Sequence, residues 1–292
     1  MTMLVRGTWI AIALAACGGT EESGPPPLAE VPGTLAHLAV NDTSLFAIDT
    51  RDSSLIELGL DGTVIGKLDT RDVVSEVVAH ADWVAWVEKE GSGKIIRRRR
   101  NGMFESMRPF TPHIAATAEG LFYSDISLIA IWPWEGVPER IATPAAGATI
   151  IAVDPSYAYT RETNGALVRY MRGVDASETL LADSVGVSVK DGQLAYRTVD
   201  GVRLRDLFAG FDRVVGVPPA DYACDLLIAG RAVMCGKYRA MDGIADELLT
   251  DPVAGYASRG KDLYWVTAKA GTDPVSELRL TDAEAPLVIE ED

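Results

Sequence analysis

The chain has 292 residues, 42 of them acidic against 27 basic, and a formal net charge of −15. Such a surface repels phosphate backbones and anionic lipid headgroups, which excludes nucleic acid as the expected partner and gives the membrane no attraction by charge. The length suffices for one large β domain, and no phosphate loop, Gly-x-Ser-x-Gly elbow, His-Glu-x-x-His or EF-hand loop is present to name a reaction.

At the N-terminus Arg6 makes a small basic start, and residues 8–16 form an apolar run ending in small side chains. That is the pattern of a secretory signal, too short to span a bilayer permanently. It closes on Leu14-Ala15-Ala16-Cys17-Gly18. These five residues resemble the bacterial lipoprotein lipobox. The resemblance implies cleavage before Cys17, acylation of its thiol and, with Gly18 in place of Asp, sorting to the outer membrane of a Gram-negative envelope. Acyl chains contribute about 0.8 kcal/mol per buried CH₂, so two or three of them anchor stably. Residues 18–34 are rich in Gly, Glu, Ser and Pro, including Pro25-Pro26-Pro27. They carry too little apolar surface to pack and read as a semi-extended tether. The expected organisation is a signal peptide over 1–16, a lipidated cysteine and tether over 17–34, and a folded domain over 35–292, with the lipid anchor as the sole membrane contact.

From residue 35 the chain repeats one phrase seven times: an apolar run, a small polar turn, a second apolar or aromatic run, an alternating run, and a Gly turn. The second runs carry Ala47, Trp86, Tyr123, Tyr159, Tyr196, Cys235 and Trp265, at spacings of 39, 37, 36, 37, 39 and 30 residues. The first runs lie at 35–40, 76–79, 113–116, 149–153, 186–189, 225–228 and 255–258. Turns such as Asn41-Asp42-Thr43-Ser44 and Lys190-Asp191-Gly192 hold residues suited to tight hairpins. A second marker keeps step: Gly62, Gly102, Gly136, Gly173 and Gly210 follow each third run at intervals of 40, 34, 37 and 37. No long stretch shows helical periodicity above this background. The period predicts an all-β protein, a β-propeller of seven four-stranded blades whose sheets bury their faces against one another. The copy over 225–251 is degenerate, which leaves six or eight blades open. Residues 286–290 read as the last blade's own outer strand, with 28–34 available as an added edge.

Two copies, Asp262-Leu263-Tyr264-Trp265-Val266-Thr267 and Gly120-Leu121-Phe122-Tyr123-Ser124-Asp125, resemble propeller repeats of the YWTD and NHL kinds. The resemblance implies the fold only, because unrelated functions share it.

Ten residues before each marker stand His37, Glu76, His113, Thr149, Gly186, Asp225 and Gly255, each followed by an apolar or aromatic residue, from Leu38 to Tyr256. In a propeller these positions open the innermost strands at the rim of the central channel. His37, Glu76, His113 and Asp225 are therefore candidate ligands for a divalent cation, the one cofactor to be considered, or for a polar ligand. The competing reading is a set of solvated strand ends. Cys224 and Cys235 flank the turn at Gly230 and form either a cross-strand disulfide or two buried thiols. The basic run 94–100 is either a polyanion patch or a third strand neutralised by nearby acids, and the net charge favours the second. Trp132 and Trp134 form either an exposed platform for sugar or peptide or packing between blades. Two functions follow as expectations. One is a monomeric, membrane-tethered, non-catalytic binding or assembly module of the bacterial envelope, its partner an envelope protein or extracellular ligand. The other is a metal-dependent hydrolase or lyase of small molecules at the channel mouth.

Overall fold

Short β-branched and aromatic runs joined by tight polar turns can pair only with their sequence neighbours, so the chain folds as successive meanders. The computed structural model describes residues 26–286 apart from 69, 71–73, 111, 118, 127, 145, 155, 175, 183–185, 191, 220–225, 250–252 and 270–273. Among these residues the structure is strand and turn only, arranged as seven four-stranded antiparallel sheets. The inner strands of blades one to seven are Leu35–Val40, Val74–His80, His113–Ala116, Thr149–Val153, Val187–Lys190, Leu226–Ala229 and Val253–Arg259. They pack in that order, and Val253–Arg259 returns against Leu35–Val40 to close the ring. The seven-bladed expectation holds, including the degenerate sixth copy.

The closure differs from expectation. The fourth strand of blade seven is Ala29–Pro32, antiparallel to Val275–Asp282 with Ala29 opposite Leu278. Residues 287–292 lie outside the described structure, so most of the strand expected at 286–290 does too. The tether expected over 17–34 therefore ends earlier, because Val31 is buried in the seam between blades seven and one beside Leu35, Leu58 and Leu278. One apolar residue at the right alternation outweighed the Pro and Glu around it.

The interior consists of seven apolar clusters, one per blade interface. Second strands feed two of them at once, since alternate side chains point to opposite neighbours. Ala85 packs towards blade three and Trp86 towards blade one. Buried acceptors shape the turns between first and second strands. The Asn41 side chain accepts the N–H groups of Thr43 and Ser44, and Asp154 accepts those of Ser156 and Tyr157 together with the Tyr159 hydroxyl at 2.7 Å. Burial and that bond to Asp154 push the Tyr159 phenol far above its ordinary value.

Because every blade is a meander, the turns joining first to second and third to fourth strands share one face of the disc. The remaining connections share the other. The first face is laced between blades: Arg259 Nη1 donates to the Asp42 carbonyl at 3.3 Å and Asp42 N–H to the Ala81 carbonyl at 3.4 Å. At that end the Lys190 ammonium of blade five also donates to Ser258 Oγ of blade seven, at 3.1 Å.

Candidate functional site at the channel mouth

Glu76 and His113 open the inner strands of adjacent blades, and the fold brings them together. His113 Nδ1 lies 2.7 Å from Glu76 Oε1, with the two side chains 38% and 27% exposed. The other carboxylate oxygen accepts the N–H of Ile114 at 3.0 Å. Both oxygens of Glu76 thus face blade three.

The same task recurs around the ring with other side chains. Ser276 of blade seven accepts the Leu35 N–H at 2.8 Å and donates its own O–H to the Gly33 carbonyl. Ser124 of blade three accepts the Ile150 N–H at 3.2 Å. The physical need is plain: the leading N–H of an inner strand has no ladder partner there, and a buried donor left unpaired is costly. The polar ring read from the sequence is therefore, in these blades, a set of blade-to-blade ties. Ser124 and Ser276 were missed because they lie on second and third strands, outside the position being counted.

His37 does not join the pair. It sits in a β-bulge between Ala36 and Ala39 with φ of 52° and an exposed side chain, beside the blade-seven seam. A Cβ on Gly255 would come within 2.8 Å of the His37 nitrogen, so the two backbones meet where only glycine fits. Asp225 and Cys224 lie outside the described residues, as does Cys17. Among the described residues no three His, Cys, Asp or Glu side chains are placed to hold a metal ion. Cys235 is fully buried opposite Leu226 and is disulfide-bonded.

Of the two readings of the aromatic pair, the structure shows packing between blades. Trp132 is buried, and Trp134 stacks on Trp83 of blade two at 4.8 Å and 17°, with its indole N–H donating to the Thr117 carbonyl. Between them lies Arg98, 1% exposed, whose guanidinium sits 3.8 Å from the Trp132 ring centroid. It forks onto Glu105 and donates to the carbonyls of Trp132, Pro133 and Trp134. Blade six repeats the device: Arg239 pairs with Asp246 and reaches the carbonyls of Ala283 and Ala285 in blade seven. The other three arginines of the basic run are paired as well, Arg97 with Glu88, Arg99 with Glu57 of blade one, and Arg100 with Asp82. Third-strand alternation sends these side chains to opposite faces of the sheet, each to an acid, so the run is no polyanion surface.

Comparison with known proteins places the fold. No protein-family model matches the chain, and no curated protein matches it either. Among solved structures, virginiamycin B lyase from Staphylococcus aureus is 15% identical, with a TM-score of 0.62 over 87% of this chain and 99% of that one. PorZ of Porphyromonas gingivalis, described as an essential bacterial surface component of the type-IX secretion system, is 12% identical, with a TM-score of 0.59 over 88% of this chain and 39% of that one. BamB from Moraxella catarrhalis is 13% identical, with a TM-score of 0.50 over 85% and 83%. At such identities the likeness defines the class as a β-propeller and goes no further.

Proposed function

We propose that this propeller is a binding or assembly module of the bacterial envelope, held by a lipid on Cys17 and carrying no reaction of its own. The supporting observation is the engagement of Glu76. A carboxylate whose two oxygens meet His113 and the Ile114 N–H acts as a clasp between blades two and three, and clasps of the same kind recur at Ser124 and Ser276. The likeness to PorZ, a bacterial surface component, supports a surface role. The partner is then a protein or ligand met by the loops and faces of the disc.

A second reading rests on the likeness to a lyase together with the 2.7 Å Glu76–His113 pair: a cation held near His37, Glu76, His113 and Asp225. Metal analysis of the purified chain separates the two. The binding module is expected to hold no stoichiometric divalent cation, and His113→Ala should shift stability by less than about 1 kcal/mol, as for a half-exposed ion pair. A stoichiometric metal lost in His37→Ala and His113→Ala would transfer the argument to the enzyme. Capture of envelope proteins by the binding module, abolished by loop substitutions, would support the first reading.

We assign Cys224 as the partner of Cys235, the one other cysteine of the folded domain. Peptide mapping of the unreduced protein should recover the 224–235 bridge, and the denatured, unreduced chain should leave Cys235 unreactive to thiol reagents. Alkylation of both cysteines without prior reduction would overturn the assignment.

A further inference from the structure

One rim of the disc carries an exposed apolar side chain in every blade. The residue after each third-to-fourth turn is Val64 in blade one, Met103 in blade two, Val137 in blade three, Val174 in blade four, Phe211 in blade five and Ile244 in blade six, all exposed, Phe211 by 77%. Most follow directly the turn glycines that mark the repeat: Gly102, Gly136, Gly173, Gly210 and Gly243. In blade seven, where the fourth strand comes from the N-terminus, Leu28 precedes it and is exposed too. Among the described residues the opposite face carries Phe110, Ile126, Val199 and Val217, in the connections around blades three and five. A protein partner on one flank needs a contiguous patch, whereas seven apolar points spread around a circle meet a plane.

The chain itself says which plane. Ala29 packs at the turn face, since a Cβ on Gly62 of the blade-one turn would lie 2.5 Å from the Ala29 Cβ. Residues 26–28 therefore enter Ala29–Pro32 from the same face that bears the apolar circle. Cys17 stands twelve positions before Ala29 in the sequence, and an extended stretch of that length, at about 3.1 Å per residue, would let the disc lie flat against its anchor. Several charges of this face are paired, Arg100 with Asp82 at 2.6 Å, Arg172 with Glu119 at 2.6 Å, and Arg231 with Asp242 at 3.3 Å, while Asp61 and Asp206 on the same turns accept backbone N–H groups. A zwitterionic surface bears no net charge, so it does not repel a chain of net charge −15 as an anionic one would.

We infer that the turn face rests on a lipid bilayer, the seven rim side chains dipping into the headgroup layer, so that the opposite face is the one offered to partners. This rests on the lipid-anchor reading of Cys17 and departs from the expectation of the anchor as sole membrane contact.

The test uses the full lipidated chain on phosphatidylcholine vesicles. A fluorophore placed by Val174→Cys should be quenched by lipid-borne nitroxide about threefold or more over one placed by Val199→Cys on the other face. Adding Val137→Asp and Phe211→Asp should abolish the difference. Equal quenching at both positions in protein that floats with the vesicles overturns the inference and leaves the anchor standing. Protein that does not float overturns both. Protection of the Val174→Cys label without vesicles, accompanied by dimers in sedimentation, would assign the face to a second copy and overturn the lipid contact.

Discussion

Replacing Arg98 by Ala is expected to remove about 3–5 kcal/mol of stability, through the cavity left by a large buried side chain and the carbonyls left without their donor. The side chain is 1% exposed against 50% for Glu105, so nearly all the loss falls on the arginine side of the pair. Three carbonyls, of Trp132, Pro133 and Trp134, lose their donor at once. The Trp132 ring loses the guanidinium that lies 3.8 Å over its centroid as well. In a domain of this size such a loss lowers Tm by roughly 10 °C. Arg98→Lys keeps the charge but not the planar fork and should fall between wild type and Ala. Lys67→Ala is the contrast. Lys67 and Asp52 form an exposed pair at 2.6 Å, which with Ser54 holds the Asp52 carboxyl down to about 2. Its removal should cost less than about 1 kcal/mol. That small contribution is present above the ordinary aspartate range and fades as pH falls towards 2. Urea denaturation followed by tryptophan fluorescence measures all three. A loss for Arg98→Ala no larger than for Lys67→Ala would show that the seam between blades two and three is held by area alone.

The second large effect is expected at the ring closure. Val31→Asp places a carboxylate in the cluster that includes Leu35, Leu45, Leu58 and Leu278, where Val31 is 1% exposed. A buried, unpaired charge of this kind is expected to cost 3 kcal/mol or more, by about the measure of other core charges. Loss of the pairing also bares the edge of Val275–Asp282, a template for intermolecular strand addition. Light scattering on heating should therefore rise earlier than for wild type, together with the lower Tm. Gly62→Val attacks the same seam from blade one. Its φ of +85° disfavours any side chain, and its Cβ would meet Ala29 at 2.5 Å. If Val31→Asp leaves both Tm and scattering unchanged, the N-terminal strand is not what closes the disc.

The fold was legible because two kinds of marker recur in phase. The aromatic second runs lie buried at the blade interfaces, and the turn glycines fall between third and fourth strands, as read. The exception is instructive. In blade four the residue opposite Ile150 is Thr160, not Tyr159, so the marker counted there stands one position off those of blades three and five. Tyr159 consequently packs towards blade five, while Tyr123 and Tyr196 each pack towards the blade before. One residue of slip moves a side chain to the other face, and composition carries no trace of it.

The site was legible in part. Counting along the repeat placed Glu76 and His113 at corresponding ends of adjacent inner strands, where they do meet. It could not tell that Glu76 would be spent on the neighbouring blade. The tryptophans misled for a similar reason: an aromatic pair reads alike whether water or an arginine lies against it, and Arg98 stands 34 residues before Trp132. Much of the apolar rim was available in the sequence, one step past four of the five glycines already being counted and two steps past Gly62.

The pairing of Ala29–Pro32 with Val275–Asp282 also sets an order of assembly. The strand made first waits for a partner made some 245 residues later, so no partial chain can finish the circle, and contacts of such long separation slow folding. Biogenesis must therefore shelter an unfinished arc until synthesis is complete, and a truncated product lacking the last blade would expose its N-terminal strand to whichever sheet edge it met first.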